Sequence, residues 1–181
     1  AYITGEASLS TDGSIVLPTS EGNLQIVFHV FGVRLRIGAS GQPDYGLLVT
    51  TPDIISADIV NGDQQTTLIS GDSKLVIGHS PFTFELIKDN KTVQQSANDG
   101  HFVRRYRLPP LAKVDKGWLI SLELATEEAV YGLGEKWGNL NKRGQLVRSY
   151  NHDALGVNAE ISYKNTPFCW SPNGWGIFVH T

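Results

Sequence analysis

Few residues in this sequence have the types and spacing that chemistry requires. It contains no phosphate-cradling Gly-x-x-x-x-Gly-Lys, no nucleophile elbow of the form Gly-x-Ser-x-Gly and no Cys-x-x-Cys pair. The histidines, His29, His79, His101, His152 and His180, never fall at a metal-binding spacing such as His-x-x-x-His. Gly132, Gly134 and Gly138 have the wrong spacing for a dinucleotide fingerprint, and no strand–helix–strand unit surrounds them. No metal and no cofactor are therefore expected. Cys169, between Phe168 and Trp170, reads as a small buried hydrophobe rather than a catalytic thiol. Glu135 and Lys136 fit a structural ion pair or interface charges better than an acid and a base.

The elements that would position these groups are strands. Apolar residues recur with a period of two, the pattern of a strand with one buried face. Trp118, Ile120, Leu122 and Leu124 form one such face, and Phe82, Phe84 and Leu86 another. From Leu24 onward the apolar residues hold even positions (Leu24, Ile26, Phe28, Val30), then switch to odd ones (Val33, Leu35, Ile37). An unbroken strand would turn the wrong face inward after that slip, so a bulge or tight turn is expected at Gly32. Asp12-Gly13, Asp89-Asn90 and Asn173-Gly174 mark turns, the last being the clearest two-residue type I′ signal, between Pro167–Ser171 and Trp175–Val179. About a dozen strand-like runs and no helical stripe predict an all-β fold, a large antiparallel β-sandwich. Residues 126–144 break the pattern with four glycines, yet Tyr131 and Trp137 within them argue against disorder.

Composition narrows the function. At 181 residues and 40% hydrophobic content, the chain suits one large domain with a real core, over residues 1–181. A net charge of −3 from dispersed charges excludes the clustered basic footprint of a nucleic-acid binder. The one dense basic run, Arg104, Arg105 and Arg107, would split across two faces of a strand. A single cysteine leaves no intramolecular disulfide, and no apolar run is long enough to span a bilayer, so no membrane partner and a cytoplasmic location are expected. The oligomeric state stays open. The sequence lacks methionine even at position 1 and stops within the apolar run Gly176–Thr181, so both ends read as cut from something larger.

Five motifs then appear in order: Val130-Tyr131-Gly132-Leu133-Gly134-Glu135-Lys136-Trp137-Gly138, Leu140-Asn141-Lys142-Arg143-Gly144, Tyr150-Asn151-His152-Asp153, Tyr163-Lys164-Asn165-Thr166-Pro167-Phe168 and Gly174-Trp175-Gly176-Ile177-Phe178-Val179. This segment resembles the N-terminal domain of glycoside hydrolase family 31, which includes α-glucosidases and α-xylosidases. Upstream, Val33–Ile37 and Ser80-Pro81-Phe82 are similar to the family's sandwich strands, though such short patterns are less specific. The resemblance implies a galactose-mutarotase-like sandwich supporting a catalytic (β/α)8 barrel of the same parent chain, which hydrolyses α-glycosides with retention through two carboxyl groups. The family's nucleophile motif, Trp-x-Asp-Met, is absent here, so no catalytic residue is assigned to this chain.

What the resemblance leaves to this chain is a share in the substrate site. It assigns sugar contact to Asn151, His152 and Asp153, with the following loop, 154–162, projecting towards the barrel. A carboxylate at Asp153 suits adjacent sugar hydroxyls, from which it can accept two hydrogen bonds. Two readings of Asp153 stay open, because an Asx residue also caps turns. Tyr150, Trp137 and Trp175 are candidates for stacking on a sugar, but aromatics at period-two positions more often fill the core, a reading that weighs more for Trp175 than for Trp137. Lys164 and Asn165 would shape the strand entry at Pro167. His152 stands where relatives often carry Arg, which leaves the substrate open. A free-standing carbohydrate-binding module is the alternative function, and a purely structural sandwich a third.

Overall fold

The computed structural model describes residues 1–38, 46, 48–50, 52–97, 102–103, 106–153 and 161–180. Arg104 and Arg105 of the basic run and residues 154–160 of the loop expected to project lie outside them. Among the described residues there is no helix, and every ladder between strands is antiparallel. Contacts divide the chain into two compact units, Ala1–Glu123 and Leu124–Thr181.

The first unit is a sandwich of two meanders. Strands β1 (Ser8–Leu9), β2 (Ile15–Thr19), β3 (Gly22–His29) and β4 (Gly32–Ile37) pair in sequence order. So do β5 (Asp58–Asn61), β6 (Gln65–Ser70), β7 (Ser73–Gly78), β8 (Thr83–Lys88) and β9 (Lys91–Gln95). Alternation puts Ile15, Leu17, Leu24, Ile26 and Phe28 of one sheet in a common core with Leu68, Leu75 and Ile77 of the other. Each is at most 2% exposed, and burying such a side chain stabilises the fold by roughly 1.5–3 kcal/mol. Phe82 joins this core, with Phe84 and Leu86 packed against it, as their spacing predicts.

The phase slip at Gly32 is a tight turn. His29 pairs with Gly32 across Val30 and Phe31, so Val30 sits at an exposed hairpin tip rather than on the buried face expected of it. Two consecutive left-handed residues, the mark of a type I′ turn, occur at Asp89 (φ 50°) and Asn90 (φ 60°) between β8 and β9. At the first turn, Gly13 takes φ 81°, and Asp12 Oδ1 accepts hydrogen bonds from the Ser14 hydroxyl (2.6 Å) and amide (3.0 Å). Those two bonds hold the Asp12 carboxyl below its ordinary range.

Two short hairpins complete the unit: β10 (Phe102–Val103) with β11 (Tyr106–Arg107), and β12 (Leu111–Val114) with β13 (Gly117–Ile120). Here the expected buried face 118–124 fails. Among the described residues, 117–120 pair only with β12, while 121–123 run beside the end of β9, with Ala97 N–H donating to Ser121 O and Glu123 N–H to Gln95 O. The run is divided between two partners and never forms one strand. Trp118, Ile120 and Leu124 are exposed.

Among its described residues the second unit holds one three-stranded sheet, β14 (Tyr131–Gly132), β15 (Phe168–Ser171) and β16 (Trp175–Phe178). The hairpin at Asn173-Gly174 is present with a different turn. Ser171 pairs with Trp175, so the loop has three residues, and of these only Gly174 takes positive φ, 96°. This matches a three-residue hairpin loop with glycine at its left-handed position, which accommodates Pro172 at the start.

Candidate functional site

Two glycines let the second unit close up. Gly132 (φ 105°) and Gly134 (φ 82°) lie so near the chain entering β15 that a Cβ on Gly132 would stand 2.5 Å from Phe168 O, and one on Gly134 2.7 Å from Thr166 N. Only glycine tolerates both the conformation and the approach. The backbones then zip together: Leu133 N–H donates to Phe168 O (2.8 Å) and Glu135 N–H to Lys164 O (2.9 Å).

A buried carboxylate pins the hairpin from the other side. Glu128, 8% exposed, accepts at Oε1 from the Ser171 hydroxyl (2.5 Å) and the Trp175 indole N–H (2.7 Å). Its Oε2 accepts from the Ala125 amide at 2.8 Å. Burial pushes its pKa upward, but hydrogen bonds from Ser171, Ala125, Trp175 and Asn173 outweigh this and hold it below the ordinary value. Trp175 is accordingly core, as its position predicts. Cys169 is half-buried and burial raises its pKa, which disfavours the thiolate a nucleophile would need.

Residues 151–153 form one leg of a neck, and 162–165 the other. Asn151 bridges Ser162, and His152 N–H donates to Ser162 O at 3.2 Å. The Asn165 side chain ties the legs, its amide group donating to Asn151 Oδ1 (2.7 Å), Tyr150 O (2.8 Å) and Ser162 O (3.0 Å). Asn165 N–H also donates to Asn151 Oδ1 at 3.0 Å. The Asn151 carbonyl oxygen is thus occupied within the neck. Asp153 is exposed and accepts from the Tyr163 hydroxyl at Oδ1 (2.9 Å), which leaves Oδ2 without a donor among the described residues. The exposed His152 ring tilts against Tyr150, centroids 5.4 Å apart. This arrangement can accept and donate hydrogen bonds to a polyol beside an aromatic face.

Trp137 stands apart. The residue is 61% exposed, and among the described residues no hydrogen bond or ring contact joins it to Asn151–Asp153. It borders a depression of about 40 Å³ shared with Lys136, Lys142, Gln145 and Arg148. Glu135 pairs with Lys164 at 3.4 Å, both exposed, rather than with Lys136, whose ammonium donates to Arg148 O at 2.6 Å. Among the described residues Glu128 and Lys142 are the buried charges of this unit; Glu128 lies outside the five motifs, and Lys142 stands in one that gives it no role. The side-chain partners of Glu128 are distant in sequence, and the other partners of the two are backbone amide or carbonyl groups, which carry no sequence signal.

A two-sheet antiparallel sandwich, followed by a glycine-rich unit bearing a polar neck, defines a galactose-mutarotase-like domain. The chain belongs to the glycosyl hydrolase 31 N-terminal galactose mutarotase-like domain family, whose model matches residues 24–181. It is 32% identical to an alpha-xylosidase of Emericella nidulans over 165 residues, covering 91% of this chain and 19% of that enzyme. With alpha-xylosidase XylQ of Lactiplantibacillus pentosus it shares 30% identity, over 84% of this chain and 19% of that protein. Among solved structures, a family 31 dextranase of Flavobacterium johnsoniae superposes with TM-score 0.71 at 19% identity, over 98% of this chain and 22% of its own. A family 31 alpha-xylosidase from a soil metagenome gives 0.65 at 18% identity, over 96% and 28% respectively. The chain therefore spans about a fifth of the curated relatives it matches.

Proposed function

We propose that residues 1–181 serve as the N-terminal accessory domain of a retaining α-glycosidase. In this reading a catalytic (β/α)8 barrel of the same polypeptide carries the nucleophile and the acid. The family match over residues 24–181 carries it, joined to the chain's 19% share of two enzymes named alpha-xylosidases. Those names favour an α-xyloside over an α-glucoside as substrate. Asp153 Oδ2 and the His152 ring would meet the sugar beyond the cleaved bond, Asn151 would hold the neck that presents them, and Trp137 would offer a stacking surface.

The chain alone should not turn over nitrophenyl α-xyloside or α-glucoside, and turnover attributable to it would overturn the assignment. In the full-length enzyme, Asp153→Ala should lower kcat/KM for oligosaccharides by more than about twofold. An unchanged value removes Asp153 from sugar contact. The exposed Trp137 favours one rival, a free-standing carbohydrate-binding module. Affinity of the isolated chain for xylose or maltose oligomers, with no effect of Asp153→Ala on hydrolysis, would support that rival instead.

A further inference from the structure

We propose that Tyr163 is a positioning residue for Asp153, holding its carboxylate in the orientation that favours a sugar over an aryl group beyond the cleaved bond. This rests on the reading of Asp153 as a sugar contact and deepens it. Tyr163 opens the motif Tyr163–Phe168, and the sequence alone gives that first residue no role. In the structure its hydroxyl donates to Asp153 Oδ1 at 2.9 Å, from one leg of the neck to the other. Among the described residues this is the only hydrogen bond that the Asp153 carboxylate receives.

Backbone alone does not fix that carboxylate. The Asn165 amide grips Asn151 Oδ1, Tyr150 O and Ser162 O, and His152 N–H donates to Ser162 O. Asp153 and Tyr163 are the next residue on each leg. The knot therefore brings their backbones near each other but does not choose among the staggered rotamers of Asp153. Asp153 is exposed, so packing does not choose either. The tyrosine hydroxyl does, through a charge-assisted bond to an ionised acceptor. A tyrosine suits the task, because its rigid ring reaches far with few torsions to immobilise. With Oδ1 committed, Oδ2 is left to a ligand, and a carboxylate can only accept. The group it meets must offer O–H donors, which a sugar has and a nitrophenyl group lacks. Asn165 thus acts on the backbone of the triplet, and Tyr163 on one side chain within it.

The test uses the full-length enzyme on two substrates that share a cleaved sugar. These are an α-xylosyl-glucose disaccharide and nitrophenyl α-xyloside, or maltose and nitrophenyl α-glucoside where the enzyme prefers glucose. Tyr163→Phe keeps the ring at a position 56% exposed and removes only the hydroxyl. It should lower kcat/KM for the disaccharide relative to the nitrophenyl glycoside about fivefold, mainly through KM, as expected when a contact group loses its preorganisation. Asp153→Ala should lower the same ratio at least as far, and adding Tyr163→Phe to it should bring no further fall. A tyrosine with a merely structural role would lower both substrates together and add to Asp153→Ala. That outcome overturns the positioning role, as does an unchanged ratio in Tyr163→Phe when Asp153→Ala lowers it; the sugar contact then stands. If Asp153→Ala leaves the ratio unchanged, the sugar contact itself is wrong and the role of Tyr163 falls with it. Turnover of neither pair by the unmodified enzyme would overturn the glycosidase reading beneath both.

Discussion

The two units are held together by different means. In Ala1–Glu123 the interior is apolar and redundant, with side chains from two sheets interdigitating across one core. In Leu124–Thr181 the described sheet has three short strands, and order comes from specific polar anchors: Glu128 under the hairpin, Asn165 in the neck and two glycines at close approach. An apolar core tolerates substitution in graded steps, because loss scales with the volume removed. A buried polar anchor such as Glu128 fails abruptly, since each abandoned donor or acceptor is left buried. The candidate contact residues belong to the second kind of structure, where a few bonds fix their geometry.

The largest effect should come from the apolar side. Leu68→Ala removes a side chain with no exposure from the centre of the first unit and should cost ~2–5 kcal/mol. Amide hydrogen exchange would register the loss along β3, β6 and β7. A cost near that of a surface substitution would show that this core is looser than its burial implies and would remove the contrast.

Glu128→Gln probes the polar side, at about 3 kcal/mol, because the new amide must present a donor to Ala125 N–H or to Ser171 and Trp175. Acid supplies a second readout. The Glu128 pKa is lowered on folding, so between its folded value and the ordinary glutamate value of about 4.3 the unfolded chain binds more protons. Stability therefore rises with pH through that window. Its contribution is fully present above the unfolded value and is lost as pH falls through the folded one. Glu128→Gln should flatten this acid limb for exchange in β15 and β16. An unchanged limb would mean that Glu128 does not anchor the hairpin as a carboxylate.

The same contrast explains what could be read from the sequence. Leu24, Ile26, Phe28, Phe82 and Phe84 announce their faces because burial in a sheet repeats every two residues. The run Trp118–Leu124 has the same period and misleads, since the pattern reports a face but not the number of partners that will divide it. Motif order from Val130 to Val179 is enough to point to the family. The partners of the anchors are silent by comparison. Glu128 lies 43 and 47 residues from Ser171 and Trp175, and Asn165 grips residues 14 and 15 positions away, separations at which no local spacing rule operates. Turn geometry is intermediate. Asn173-Gly174 marks a hairpin correctly, but Pro172 extends its loop to three residues, while Asp89-Asn90 forms the two-residue left-handed turn.

Asn165→Ala should rank next, at roughly 1–3 kcal/mol, because it unties Asn151, Tyr150 and Ser162 in an exposed setting where water takes over part of the bonding. Its informative consequence is local. The neck would loosen with little change at β15, and in the full-length enzyme kcat/KM should fall with Asp153 still present, as expected if Asn165 positions the triplet. Asn165→Asp, which keeps the acceptor but removes the amide donors, should not rescue it.

The smallest effect belongs to the pair Glu135–Lys164, at 3.4 Å and exposed on both sides. It lies between the same backbone segments that Gly134 brings together, and Glu135 N–H already donates to Lys164 O. The side-chain pair adds charge in high dielectric to a register that the backbone has fixed. Glu135→Gln should therefore change stability by less than about 0.5 kcal/mol, and less still in high salt. A Gly134→Ala change at the neighbouring position should be far more damaging, because its Cβ would meet backbone that cannot move aside. Unfolding measured for the two variants side by side separates the roles. If Glu135→Gln proved the costlier, electrostatics rather than close backbone approach would be what joins residues 133–135 to 164–168.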